Sequence, residues 1–322
     1  MLVNLLGDGS TSAMALVGLL VAFFGTALLI ALLKKHLPGD QGRAFAVNGE
    51  KSKGKPRGAG VIFVPVFGVC ALLFIPFSIE NLIYVVLVIL AMLSGYLDDR
   101  SEKPWGEYKK ALIDLVLAVG CAITYAHFNG THIQLFFTDS ISFTMPTVPF
   151  VILAVILVWT SINVTNCSDG VDGLCGTLSV ITFMTVYGIL SVKGIDTPVK
   201  NMIVFFAVGL LAYLLFNASP SMLLMGDAGS RAIGFFIAII ILKTGSPFLY
   251  IPAAIVLILD GGLGLIKVFL KRFLKINFFP NVRFPLHDHM RKNKGWSDTQ
   301  VVIRFGIVQF MISAALLFAA TL

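Results

Sequence analysis

The chain has 322 residues, 57 % of them hydrophobic and 13 % charged, with 24 Lys and Arg against 17 Asp and Glu for a formal charge of +7. That apolar share excludes a soluble globular protein and identifies a polytopic membrane protein, read as one integral domain over residues 1–322. The positive balance alone would suit nucleic acid, but the basic residues cluster in loops between apolar spans, which points to membrane topology instead.

Ten apolar spans are predicted, at roughly 11–33, 58–78, 80–97, 111–128, 147–165, 174–192, 201–217, 229–242, 247–266 and 300–321. The first has no basic residue before it and is read as an uncleaved span rather than a signal peptide. If the spans alternate, loops 34–57, 98–110, 163–173, 218–228 and 267–299 share one side and hold 19 of the 24 Lys and Arg. The positive-inside rule puts that side in the cytoplasm and both termini outside. The fold class expected is an all-α polytopic protein of about ten transmembrane helices, with its polar loops on the cytoplasmic face.

Loop 98–110 reads DDRSEKPWGEYKK. The pair Asp98 and Asp99 closes an apolar run; it is either a span end with a turn, or a carboxylate pair able to hold Mg²⁺ or take a proton from a phosphate. Lys109 and Lys110 open the next span, as interfacial anchors or phosphate contacts. Loop 163–174 reads NVTNCSDGVDGL. Each Asp-Gly step suits a tight turn. Two such steps three residues apart, after Asn163 and Asn166, bring Asp169, Gly170 and Asp172 to the start of a helix, where backbone N–H groups favour an anion. The loop carries no Lys or Arg, so a cation would balance its acids. Loop 218–228 follows Asn217 and ends in MGDAGS, where Asp227 lies between Gly226 and Gly229. Asp227 is either a helix cap or a ligand-binding acid that the glycines let a substrate approach.

In loop 267–299, Lys267, Lys271 and Lys275 at i, i+4, i+8 predict an amphipathic helix at the interface, with Gly261, Gly262 and Gly264 allowing a bend before it. Asp260, inside an apolar run, is a buried functional acid or a partner for a Lys. Residues 285–296, PLHDHMRKNKGW, bring His287, Asp288 and His289 together. His-x-His without cysteines is weak support for zinc; phosphate contact, proton transfer or a solvated loop are the alternatives.

These motifs occur in the order and loop positions of the polyprenyl-phosphate:N-acetylhexosamine-1-phosphate transferases, and the chain resembles that superfamily over nearly its whole length. The segment PLHDH…KGWSDTQVVIRFGI is most similar to the phospho-N-acetylmuramoyl-pentapeptide-transferase branch, through Gly295, Trp296, Val301, Val302, Arg304 and Phe305. It departs from that branch at Asp288, where a second of three histidines is usual, at Met290 and Arg291, at KPRGAG after loop 34–57, and at Leu224. The resemblance implies transfer of a phospho-sugar from a UDP-linked amino-sugar donor to undecaprenyl phosphate in the bacterial plasma membrane, releasing UMP, with Mg²⁺ as cofactor and a homodimeric state.

On that resemblance Asp227 holds Mg²⁺, with Asp169 or Asp99 as a further ligand. Asp98 deprotonates or orients the lipid phosphate, whose direct attack competes with a covalent aspartyl-phosphate scheme. Asn163, Asn166, Asp169, Gly170 and Asp172 shape the nucleotide site, Asn217 lies near the metal, and Lys110 or Lys109, His287, Asp288 and the catalytic His289 contact phosphates or glycan. A transferase for UDP-N-acetylglucosamine is the near alternative. A secondary transporter is the remote one, because transporters keep polar groups near the bilayer midplane.

Overall fold

The structure, a computed structural model, describes residue 2 and residues 11–42, 52–101, 103, 105–195 and 198–322. Part of the first basic loop, 43–51 with Arg43 and Lys51, lies outside the described residues.

The chain is a bundle of helices: α1 (Thr11–Leu33), α2 (Gly60–Phe74), α3 (Ile79–Asp99), α4 (Glu107–Asn129), α5 (Thr147–Cys167), α6 (Leu174–Val192), α7 (Val199–Asn217) and α8 (Gly226–Lys243). They are followed by the bent pair α9 (Pro247–Ala253) and α10 (Ile255–Leu274), then α11 (Leu286–Lys294) and α12 (Asp298–Thr321). Among the described residues, seven helices are long and apolar enough to cross a membrane, or eight if the bent pair counts as one span. This is a multi-pass membrane protein.

Two of the ten expected spans differ in kind. α2 has 15 residues, about 22 Å at 1.5 Å per residue, which is short for a hydrocarbon core of about 30 Å. α8 has 18 residues and includes Asp227, Arg231 and Lys243. Every residue of α8 from Gly226 to Leu242 is buried, so it is the hub of the bundle and its charges are lined by protein rather than lipid.

The connection between α4 and α5 holds an antiparallel hairpin that hydropathy did not reveal, β1 (His132–Leu135) paired with β2 (Thr138–Thr144) in the register His132 opposite Thr144. The bend expected at the glycine cluster lies elsewhere. α9 and α10 meet at 74° around Ala254, and Ile258–Gly262 continues as a π-helical turn. The glycine there serves close packing: a Cβ on Gly261 would stand 2.3 Å from the Val164 carbonyl oxygen of α5. The lysine-bearing stretch 267–275 prolongs α10 through a second π-helical turn, with its side chains largely exposed.

Close approach also fixes the start of α8. A Cβ on Gly95 of α3 would lie 2.3 Å from the Asp227 backbone carbonyl, and one on Gly60 of α2 would lie 2.3 Å from the Gly229 nitrogen. Only glycine lets these helices converge on the turn that carries Asp227.

Candidate active site

Asp98 and Asp99 end α3, Lys110 sits in the first turn of α4, and Asp227 sits in the first turn of α8. The helix ends bring them together with two residues of the first loop, Asp40 and Arg57. The segment around Arg57 is pinned by backbone hydrogen bonds: Arg57 N donates to Pro38 O (2.8 Å), Leu224 N donates to Pro56 O (2.8 Å), and Gly58 N donates to Leu224 O (3.1 Å).

From that position the guanidinium forks across three carboxylates. Nε donates to Asp99 Oδ1 at 2.8 Å, Nη1 to Asp40 Oδ1 at 2.9 Å and Nη2 to Asp227 Oδ1 at 3.1 Å. Asp99 Oδ2 accepts from Ala228 N at 3.2 Å. Lys110 Nζ pairs with Asp98 and stands 3.3 Å from Asp227 Oδ2, while Asp98 Oδ1 accepts from Trp105 N at 2.7 Å. Lys109 points away, its ammonium 3.5 Å from the centre of the Trp105 ring.

Burial disfavours the Arg57 charge, but Asp99 and Asp227 more than compensate and hold the guanidinium more firmly protonated than usual. Burial likewise pushes Asp40 up. Hydrogen bonds from Ser52 and Arg57 and the Arg57 charge outweigh it, so Asp40 lies below the ordinary carboxylate value.

This cluster holds four carboxylates (Asp40, Asp98, Asp99, Asp227) and two cations (Arg57, Lys110), a surplus of two negative charges. An incoming diphosphate would be repelled by that surplus, and a divalent cation would cancel it. Among the described residues no three His, Cys, Asp or Glu side chains form a ready metal cage. Mg²⁺ usually takes only one or two carboxylates together with water and substrate phosphates, and Asp99 and Asp227 are the carboxylates that would supply them here.

The turn after α5 forms a second group. Asp172 Oδ2 accepts from Ser221 N at 2.9 Å and faces Lys55 Nζ at 3.6 Å. Asn217 is buried and spends its amide on backbone, accepting from Gly173 N (2.8 Å) and donating to Leu223 O (2.8 Å), so it braces the two loops against each other. Asn166 donates to Ser230 Oγ at 2.9 Å, one turn beyond Gly226 in α8. Asn163 donates to Trp159 O at 2.8 Å. Asp169 is half-buried at the turn, where its charge acts on Cys175 and Tyr213.

The third group surrounds His287. Asp260, placed by the π-helical turn of α10 and fully buried, accepts from His287 N at 2.7 Å and faces Nδ1 at 2.8 Å and 3.0 Å. The partner of Asp260 is thus a histidine, not a lysine. The Asp260 carboxylate beside Nδ1 calls for a proton on that nitrogen and turns Nε2 away from it. Nε2 is directed at Gly170, where a Cβ would lie 2.3 Å away. Asp288 pairs with Arg291 Nη2 at 2.7 Å, and Arg291 Nη2 also donates to Gly170 O at 3.2 Å, tying α11 to the Asp-Gly turn. His289 Nδ1 accepts from Arg283 N at 3.3 Å.

Arg57, Asp40 and Lys55 did not stand out in the sequence. The available signal was a basic loop of 34–57 on the same side as the acids, with Arg57 immediately before the glycines that let α2 meet α8.

A family model described as glycosyl transferase family 4 matches residues 81–245, from near the start of α3 to just past the end of α8. A phospho-N-acetylmuramoyl-pentapeptide-transferase of Treponema pallidum (strain Nichols) is 40 % identical, covering 94 % of this chain and 88 % of its own. The chain belongs to the phospho-N-acetylmuramoyl-pentapeptide-transferase family. Proteins of the same description from Wolbachia sp. subsp. Drosophila simulans (26 % identical, 81 % of this chain and 83 % of the relative) and Thermotoga neapolitana (27 %, 81 % and 83 %) are more distant relatives. Of the residues expected to serve phospho-N-acetylmuramoyl-pentapeptide-transferase chemistry, Asp98, Asp99, Asp227 and Lys110 form one cluster. Gly170, His287 and Asp288 form another, and Asp172 stands beside Lys55.

Proposed function

We propose that this chain transfers phospho-N-acetylmuramoyl-pentapeptide from its UDP-linked donor to undecaprenyl phosphate, giving lipid I and UMP, the first membrane step of peptidoglycan synthesis. The observation that carries the reading is the convergence of Asp98, Asp99 and Asp227 with Arg57 and Lys110 at one end of the bundle. Phosphoryl transfer asks for in-line positioning and charge neutralisation; the cluster offers positioned carboxylates and two cations, and a divalent cation would offset its remaining negative surplus.

Asp98 accepts the proton of the lipid phosphate or orients it for direct attack on the sugar-side phosphorus. Lys110, already between Asp98 and Asp227, follows the charge as it moves. Arg57 fixes the Asp99 and Asp227 carboxylates and has the planar fork that suits phosphate oxygens. Asp227, with Asp99 or Asp169 as the further ligand, would hold Mg²⁺, which when bound would supply Lewis-acid stabilisation of the leaving UMP. Asn163, Asn166, Asp169, Gly170 and Asp172 line the nucleotide side. His287, oriented by Asp260, and His289 contact phosphate or glycan beside Asp288. Asn217 acts by bracing the loops.

The setting is the bacterial plasma membrane, crossed ten times, with α2 and α8 as protein-lined spans, both termini outside, and the cluster facing the cytoplasm. There the lipid phosphate and a cytosolic nucleotide meet, each from its own phase. The chain works as a homodimer.

The test uses protein purified in detergent with Mg²⁺, undecaprenyl phosphate and, in separate tubes, UDP-N-acetylmuramoyl-pentapeptide or UDP-N-acetylglucosamine, reading UMP. The expected result is UMP from the muramoyl donor alone. UMP from UDP-N-acetylglucosamine alone would replace the donor and keep the chemistry. No UMP from either would overturn the reading. Turnover in micelles, with no sealed compartment, also separates an enzyme from a transporter.

A further inference from the structure

One turn beneath the acid cluster lies a second pair of charges that the proposed chemistry does not use. Asp114 of α4 and Arg231 of α8 form an ion pair, with side chains 3 % and 4 % exposed. A buried ion pair is a poor source of stability, because desolvation offsets most of the attraction. Its placement suggests another role.

Lys110 and Asp114 are four residues apart on α4, and Asp227 and Arg231 are four residues apart on α8, so each pair shares a helix face. The two helices start at the same end of the bundle and run parallel. Two rungs therefore join them: Lys110–Asp227 outside and Asp114–Arg231 one turn inside, with the charges reversed between rungs. A slip of α4 by one turn would bring Asp114 against Asp227 or Lys110 against Arg231, so the alternation selects a single register. α4 packs along α3 and α5 and meets α8 at few positions, which leaves the rungs as its main direct tie to the Asp227 helix.

We propose that Asp114 and Arg231 are positioning residues: the inner rung sets the register of α4 against α8 and thereby holds Lys110 between Asp98 and Asp227. This inference rests on the transferase reading for its kinetic consequence but not for its geometric one.

The experiment compares the unsubstituted protein with the double variant Asp114→Asn/Arg231→Gln, which removes both charges and keeps amides in their place, and with Arg231→Lys, which keeps the charge. Three quantities are measured in detergent: UMP release, the thermal midpoint, and the acylation rate of Lys110 relative to Lys109, resolved by peptide fragmentation. Lys109 on the Trp105 ring is the internal standard. The double variant should lose about tenfold or more in kcat with the nucleotide KM within about threefold, because an interaction felt in the transition state is lost. Its Lys110 should be acylated several-fold faster relative to Lys109, with a thermal midpoint close to the parent's. Arg231→Lys should keep most of kcat and the parental labelling ratio.

A double variant that keeps both kcat and the labelling ratio overturns the proposal and leaves a packing pair. If the double variant does not fold, Asp114→Glu, which lengthens the rung by one methylene, takes its place. Parental kcat and labelling there overturn the proposal equally. If the unsubstituted protein releases no UMP, the transferase reading fails, while the labelling ratio still decides the register.

Discussion

Among the described residues, Arg57 is the side chain that touches three carboxylates at once, and replacing it removes all three contacts. Its partners Asp40, Asp99 and Asp227 have side chains 4 %, 1 % and 9 % exposed, and its contacts span 2.8–3.1 Å. Charges about 4 Å apart at an effective dielectric near 20 attract by about 4 kcal/mol before desolvation is subtracted. Removing one partner of a buried pair costs about 3–5 kcal/mol, because the other is left uncompensated. In Arg57→Met the surplus at the cluster rises from two negative charges to three, and Asp99 faces Asp227 with no cation between them. If about 3 kcal/mol of that loss is expressed in the transition state, kcat/KM falls by about 100-fold, at about 1.4 kcal/mol per factor of ten. Arg57→Lys keeps the charge without the fork and should fall between. The assay is UMP release in detergent, with a thermal melt of each protein with and without Mg²⁺; the cation should raise the midpoint of Arg57→Met more than that of the parent. Turnover of Arg57→Met within about threefold of the parent, with the same response to Mg²⁺, would refute the assigned role of the fork.

Other perturbations probe the remaining groups. Asp260→Asn weakens a charge-assisted hydrogen bond to His287 worth about 1.5–3 kcal/mol, so kcat should drop by about 10- to 100-fold, and His287→Ala in the same background should add little further loss. Gly170→Ala places a methyl where His287 Nε2 stands, an overpacking of about 1–3 kcal/mol that should appear as a lower thermal midpoint and a raised nucleotide KM. Asp40 is held below the ordinary carboxylate value, so its stabilising contribution is complete above that value and fades as the pH falls through the depressed one. The difference in thermal midpoint between the parent and Asp40→Asn should therefore be constant from pH 7 to about 5 and close below about pH 4.

The apolar helices were legible because lipid demands long hydrophobic runs, and the acids Asp98, Asp99 and Asp227 were legible because carboxylates at the ends of such runs are costly unless they serve a purpose. Span number was less legible at α2 and α8: a short helix and a charged one read as ordinary spans by hydropathy, and only packing shows that α8 is lined by protein. The bend at Ala254 was missed because glycine suggests flexibility, whereas Gly261 is there to let α10 touch α5. Arg57 and His287 show why the site was only half visible. Arg57 lies 42 residues from Asp99 and 170 from Asp227, and His287 lies 27 from Asp260. Long-range partners of this kind leave no periodicity behind. The same distance hides the two rungs between α4 and α8, although each half of the ladder has helical spacing within its own segment.

The most direct measurement is turnover of purified Asp227→Ala across a titration of Mg²⁺, beside a thermal melt that establishes the fold. Asp227 is the residue on which Arg57 and Lys110 both converge. The account predicts no UMP above background at any Mg²⁺ concentration, in a protein that still melts cooperatively. Near-parental turnover from that variant would contradict it.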